Sequence, residues 1–318
     1  MVEGGTMSVA GAGEFGLIAR VTARLAVGET CLVGPGDDAA VVVAPDRRVV
    51  ASTDVLVDGR HFRRDWSTAT DVGHRAAAAN LADIAAMGAT PTALLVALCT
   101  PPDLEVAWAE GLADGLGAEA ASVGASVVGG DMSASPTLTV AVTALGDLAG
   151  RAPVLRGGAR VGDQVALAGR LGYAAAGYTV LSRGFRTPKL LVEAYRRPEV
   201  PYLAGPAAAL AGATAMIDVS DGLLADLGHV ATASRVGIDL ISDAFDVPRQ
   251  MRDAAQALGV DPFNWVLAGG DDHALAATFP ADAELPPGWR PIGHVVPGEG
   301  LTVDGRPHKG PVGWDHFR

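Results

Sequence analysis

The sequence predicts a two-domain α/β protein, and three observations carry that reading. The chain has 318 residues, enough for a large core and a second domain. Short apolar runs that read as strands alternate with longer stretches whose apolar residues recur at helical spacing. Near residue 150 the texture turns Gly/Arg-rich, with Gly150-Arg151-Ala152-Pro153 followed by Arg156-Gly157-Gly158-Ala159-Arg160, which places a boundary between domains at 1–150 and 151–318.

Residues 1–13 are rich in Gly, Ala and Ser and are expected to fray. Gly11, Gly13 and Gly16 match Gly-x-Gly-x-x-Gly, but no strand precedes them, so they make no dinucleotide fingerprint. A helix is expected over 14–25, with Leu17, Ile18, Val21 and Leu25 on its apolar side and Glu14 in its first turn. Gly34-Pro35-Gly36-Asp37-Asp38 then leads into an apolar run at 39–43, read as a buried strand. Such a stretch is what solvated turns are made of. It is also a place where two adjacent acids repel and lose hydration, a conflict that a cation resolves. A turn at 44–47 joins a second strand at 49–54, which ends in Ser52-Thr53-Asp54. His61 and Phe62 follow in an Arg-rich loop. An alanine-rich helix spans 71–87 and stops at Gly88. Asn80 and Asp83 share a face of that helix with Ala76 and Met87, leaving Asp83 either inward or at the solvent edge. A buried strand at 93–99, a helix at 103–125 and a short strand at 126–128 lead to Gly129-Gly130-Asp131, whose glycines let backbone approach a ligand. A strand at 138–146 completes the first domain.

The second domain starts with a strand at 165–168 and helices at 172–182 and 202–213, joined by a Pro/Arg-rich connection. A strand from 215 runs into Asp218-Val219-Ser220-Asp221-Gly222, and a helix begins near Leu223. Ser220 or Asp221 could cap that helix; capping leaves Asp218, an acid inside a strand, unexplained. Further along are a strand at 238–241, a helix at 249–258, and Trp265-Val266-Leu267 read as a strand that stops at Gly269-Gly270-Asp271-Asp272. Then come the stretch at 290–296, an Asp304-Gly305 turn, and the tail Gly313-Trp314-Asp315-His316-Phe317, whose aromatics suggest docking.

Composition removes several function classes. The net charge of −12 argues against nucleic acid or an anionic membrane surface as the main partner. With no Gly-x-x-x-x-Gly-Lys-Ser/Thr, a P-loop is excluded, and so is a protein-kinase motif set. Two cysteines, Cys31 and Cys99, and no signal peptide or membrane-length apolar run point to a reducing, cytoplasmic setting. Acids recur at the ends of apolar runs, at Asp37/Asp38, Asp54, Asp131, Asp218/Asp221 and Asp271/Asp272. Oxygen donors of this kind, with Ser52, Thr53 and Ser220 beside them, suit Mg²⁺, which enters with substrate phosphates. The expected chemistry is phosphoryl transfer from a nucleotide, in which the protein supplies position and charge stabilisation.

The motifs carry a resemblance that covers nearly the whole chain. Gly13-Glu14-Phe15, Gly36-Asp37-Asp38, Ser52-Thr53-Asp54, His61-Phe62, the string from Asn80 to Ala89, Gly129-Gly130-Asp131, Asp218-Val219-Ser220-Asp221-Gly222-Leu223, Gly269-Gly270-Asp271-Asp272 and Asp315-His316-Phe317 together resemble the thiamine-monophosphate kinases, of the aminoimidazole ribonucleotide synthetase-like superfamily. The resemblance implies direct transfer of the ATP γ-phosphoryl group to thiamine monophosphate, giving thiamine diphosphate, with several Mg²⁺ ions. It implies metal ligation by Asp38, Ser52, Thr53, Asp54, Asp83, Asp131, Asp218 and Asp221, among which Asp54, Asp83 and Asp218 are catalytic. It places ATP on Gly129, Gly130, Arg156 and Ser220, and the thiamine substrate on His61, Asp271 and Trp314. The implied fold is α/β (α+β), with an N-terminal sheet domain that forms a barrel with a second subunit and a C-terminal α/β domain that completes the active site. The chain departs from the family where Asp271 stands for the usual Glu and His273 for an aromatic. Two alternatives stay open at this level: another ATP-dependent synthetase of the superfamily, and a catalytically silent nucleotide-binding regulator.

Overall fold

The computed structural model describes residues 7–35 and 39–314. Asp37, Asp38 and the Asp315-His316-Phe317 end lie outside the described residues. The chain divides into two units, one made of residues up to Ile84 with Thr90–Ala149, the other of Ala85–Ala89 with the residues from Gly150 on.

The first unit opens with α1 (Val9–Ala12) and α2 (Glu14–Thr22), followed by β1 (Cys31–Val33) and β2 (Val41–Val42). The apolar run at 39–43 is thus not a buried strand: two of its residues pair with β1, and Val41 is exposed. Next come β3 (Val50–Val57), α3 (Ala69–Ala86), β4 (Thr90–Thr100), α4 (Val106–Ser122), β5 (Ser126–Ala134) and β6 (Thr139–Asp147). The four strands of this series build one sheet, in the order β3-β6-β4-β5, antiparallel except for the β4–β5 pair that α4 connects. Along β6 every second residue is buried, so the sheet has a covered face and an open one. Ser52, Asp54 and Leu56 pair with Ala144, Val142 and Val140 on the covered face, whereas Thr53 and Val55 look out with Thr143 and Ala141.

α3 is buried nearly all round, as its alanine content requires; Ala77, Leu81, Ala82 and Ile84 have no exposed surface. Its N-terminal half meets α4 backbone to backbone. A Cβ on Gly73 would lie 2.2 Å from the Leu112 carbonyl oxygen, and one on Gly115 would lie 2.1 Å from that of Thr70. Paired ion bridges from Arg20 and Arg24 to Glu110 and Asp114 hold α2 over the outer side of α4.

The second unit contains β7 (Gln164–Ala168), α5 (Tyr173–Ser182), α6 (Lys189–Arg196), α7 (Ala204–Leu210), β8 (Ala215–Val219), α8 (Leu223–Ser234), β9 (Gly237–Leu240), α9 (Arg249–Leu258), α10 (Pro262–Ala268), β10 (Ala274–Phe279), β11 (Trp289–Val296), β12 (Gly300–Val303) and β13 (Arg306–Pro307). Its seven strands run in the order β13-β12-β9-β11-β7-β10-β8, antiparallel apart from β12–β9. The Pro/Arg-rich connection expected between two helices contains a third, α6. Trp265-Val266-Leu267 is helical, within α10, where Asp261 accepts from the Phe263 N–H and Pro262 occupies the first turn. The acids at 271 and 272 therefore follow a helix and precede a strand. β8 closes the sheet at one edge, yet it is wholly buried, because the Leu155 carbonyl accepts from the Met216 N–H and the segment through Gly158 runs along it.

The α3–α4 crossing yields a direct test. Gly115→Ala forces a methyl group into the Thr70 carbonyl and should cost about 1–3 kcal/mol of folding stability. Gly117→Ala, two residues along α4 with its nearest neighbour 3.4 Å away, should be neutral or stabilising by up to about 1 kcal/mol. Chemical denaturation of both variants decides it; equal losses would show that the crossing is not what selects glycine.

Candidate active site

In the first unit Ser52 and Asp54, on the covered face of the sheet, meet Asn80 and Asp83 on the facing side of α3. The Ser52 hydroxyl donates to Asp83 Oδ2 at 2.6 Å, and Asn80 Oδ1 accepts from the Asp54 N–H at 3.0 Å. Asn80 is itself buried and donates to the Ala76 carbonyl, so its orientation is set before Asp54 meets it. Asp83 thus faces inward. Strand alternation explains why Ser52 and Asp54 act together and Thr53 does not: the Thr53 hydroxyl points to the open face, donates to the Val142 carbonyl and accepts from Thr143.

Asp54 and Asp131 do not end their strands. Asp54 lies in the middle of β3, and Asp131 is an exposed residue within β5. A register shift makes Val128 a bulge, since Leu94 pairs with Val127 and Leu95 with Gly129. The two glycines after it differ. Gly130 has no room for a side chain, because a Cβ would lie 1.9 Å from the Val96 carbonyl oxygen, whereas Gly129 meets nothing nearer than a Leu95 methyl at 3.4 Å. Strand packing thus accounts for Gly130, and Gly129 is the position whose openness a ligand could use. His61 accepts from the Val57 N–H at Nδ1, which puts the ring hydrogen on Nε2. Beside it Phe62 is buried and stacks on Trp108.

In the second unit three loops close on one another. Gly269–His273 is bonded to the Asp218–Gly222 loop by Asp271 N–H to the Ser220 carbonyl at 2.8 Å and His273 N–H to the Val219 carbonyl at 3.1 Å. Gly270 sits where a Cβ would strike the Ser220 carbonyl. The Trp314 N–H donates to the Asp221 carbonyl at 2.9 Å, which docks the start of the tail while leaving the indole more than half exposed. Neither Ser220 nor Asp221 caps α8. The cap position is Gly222, and Asp226 reaches back from the first turn so that its Oδ2 accepts from both the Asp221 and Gly222 N–H groups. Ser234, at the far end of α8, holds the Arg156 loop by accepting from Gly158 and Ala159 and donating to the Arg156 carbonyl; Arg156 itself is exposed.

Asp218, Asp226 and Asp272 are each at most 4% exposed. Burial, and then the Asp218 carboxylate, pushes Asp226 up to about 7. Burial likewise pushes Asp272 up to about 7, opposed by the Ala174 N–H that its Oδ1 accepts. Its Oδ2 has no hydrogen-bond partner. Among the described residues no three His, Cys, Asp or Glu side chains converge on one point. What each unit offers is a small group of hard oxygen donors, crowded with negative charge, and that donor chemistry fits Mg²⁺.

Residues 36–148 match the family model described as AIR synthase related protein, N-terminal domain. The thiamine-monophosphate kinase of Mycobacterium tuberculosis (strain ATCC 25618 / H37Rv) is 50% identical over 307 residues, spanning 96% of this chain and 92% of that protein. The chain belongs to the thiamine-monophosphate kinase family. Among solved structures, the thiamine-monophosphate kinase from Stenotrophomonas maltophilia K279a shares the fold with a TM-score of 0.81 at 33% identity, over 92% of this chain and 97% of that one. AaThiL complexed with AMPPCP and TMP gives a TM-score of 0.80 at 33% identity, over 98% and 99%.

Against that family background, sequence reasoning missed Asn80 as the partner of Asp54, together with Asp226, Ser234 and the link from His273 to Asp218. Asn80 left a signal in its three-residue spacing from Asp83. Asp226 left one in its place four residues after Gly222, where a first-turn acid can reach back to free N–H groups.

Asp272 sets a pH dependence. Its folded-state value of about 7 lies above the ordinary 3.8, so its contribution to stability is present at low pH and is lost as pH rises through about 7. Asp272→Asn keeps an acceptor for Ala174 and cannot ionise. Its melting temperature, relative to the parent chain in chelator, should rise between about pH 4 and pH 7 and level off above. A constant offset would show that Asp272 does not titrate in that window.

Proposed function

We propose that this chain phosphorylates thiamine monophosphate to thiamine diphosphate, taking the γ-phosphoryl group of ATP directly. The observation that carries the reading is the likeness to thiamine-monophosphate kinases along 96% of the chain, together with the oxygen donors at Ser52, Asp54, Asp83, Asp131, Asp218 and Asp221. Bound Mg²⁺ would neutralise phosphate charge and polarise the transferred group.

The residues divide the work. Asp54 and Asp83, with Ser52, form one set of ligands, and Asp218 with Asp221 forms another; Asp38, Asp131 and Thr53 are assigned to the metals by their motifs. Ser52, by donating to Asp83 Oδ2, orients that carboxylate. Asn80 fixes the backbone at Asp54 in the same way. Gly129, Gly130, Arg156 and Ser220 are assigned to ATP, with Arg156 supplying a cation in place of a P-loop lysine. His61, Asp271 and Trp314 are assigned to the thiamine substrate. The exposed Trp314 ring offers a face on which the cationic thiazolium can stack.

The active species is taken to be a homodimer. The open face of the first unit's sheet carries Val55 and Leu95, both more than one third exposed. A second copy joining there would bury them in a barrel between subunits. No helix among the described residues is long and apolar enough to cross a membrane, and both cysteines are free, which supports a cytoplasmic setting.

Purified protein with ATP, Mg²⁺ and thiamine monophosphate should yield thiamine diphosphate and ADP; absence of thiamine diphosphate rejects the assignment. Asp54→Ala and Asp218→Ala should each lower turnover by roughly 10²-fold or more while keeping a cooperative melt, and full activity in either would remove that acid from the metal site. Light scattering should report twice the monomer mass, and Val55→Lys should shift it toward one. A monomeric parent chain would refute the shared barrel.

A further inference from the structure

We propose that His273 is the positioning residue for the Asp218 carboxylate. The proposal rests on the reading of Asp218 as a metal ligand. His273 Nδ1 lies 3.2 Å from Asp218 Oδ2, with both side chains about 6% exposed. An ionised carboxylate can only accept, so Nδ1 carries the hydrogen and donates it. Among the described residues this is the one side chain that hydrogen-bonds Asp218, and Oδ1 accepts nothing. The arrangement ties down one oxygen and leaves the other with its lone pairs open, which is how an outer partner orients a carboxylate toward a cation. The ring cannot drift. The His273 N–H is bonded to the Val219 carbonyl, one residue beyond Asp218 on the same strand. Ala274, the next residue, begins β10 and pairs with Val219. The acceptor therefore lies in β8 and the donor immediately before the neighbouring strand β10, tied to β8 by its own N–H.

The Asn and Gln variants separate positioning from packing. The Asn Nδ2 can occupy the place of the imidazole Nδ1, whereas a Gln amide reaches the place of Nε2. The full-length chain is titrated with Mn²⁺ in the presence of a non-hydrolysable ATP analogue, and bound metal is followed by electron paramagnetic resonance. His273→Gln and His273→Phe should weaken Mn²⁺ about 10–100-fold, and His273→Asn should stay within about threefold of the parent chain. Equal affinities for the Asn and Gln variants would overturn the proposal, and so would a folded His273→Phe that binds Mn²⁺ like the parent. Asp218→Asn must weaken Mn²⁺ as well; unchanged binding there removes the ligand that His273 is said to orient and overturns the proposal with it. Thiamine diphosphate formation is scored separately. A parent chain that binds Mn²⁺ with this variant pattern but makes no product would reject the assigned reaction while upholding the role of His273.

Discussion

The second unit is organised by the cost of burying carboxylates. Asp218 near the end of β8, Asp226 in the first turn of α8 and Asp272 in the loop before β10 lie almost wholly out of water, and an unpaired buried charge costs several kcal/mol. Each acid is handled differently. Asp226 takes two backbone N–H groups at the start of α8. Asp272 takes the Ala174 N–H at the start of α5, where the helix end favours negative charge. Asp218 takes an imidazole. The first two solutions use donors that a helix N-terminus leaves unsatisfied anyway. They join each acidic loop to the helix beside it, so the position of the loops and the satisfaction of the charges are one problem with one solution.

That problem also explains what could and could not be read from residues in order. The acidic motifs were legible because paired acids and glycines beside apolar runs are uncommon, and the buried alanine helix was legible because alanine at every position leaves no polar face. Placement was less so. Trp265-Val266-Leu267 looks like a strand because three apolar residues carry no period; the capping by Asp261 and Pro262 that makes them a helix lies just upstream. Asp54 reads as a strand end because an acid interrupts the apolar run, although β3 continues through it to Val57. The bulge at Val128 has no local signature beyond its glycines, since it follows from how β5 registers on β4.

The first unit meets a different constraint with the same economy. α3 and α4 approach so closely at Gly73 and Gly115 that carbonyl oxygens occupy the space of side chains. This lets α3 present Asn80 and Asp83 to the covered face of the sheet, where Asp54 and Ser52 receive them. Small residues here are not filler. A larger residue at the crossing moves the helix that carries the acids, so packing at one end of α3 and chemistry further along it are coupled through a rigid element.

The two departures at the second acidic motif follow from backbone conformation. Asp271 has φ of +67° and His273 has φ of +50°, both in the left-handed region. Among non-glycine residues, Asp, Asn and His enter that region most readily. A longer Glu at 271 would gain reach toward a substrate and lose that tolerance; Asp gives up one methylene and fits the turn. At 273 a histidine satisfies the turn, fills a buried site and donates to Asp218, three demands that a phenylalanine could not meet together. Both positions therefore carry residue types suited to the left-handed turn.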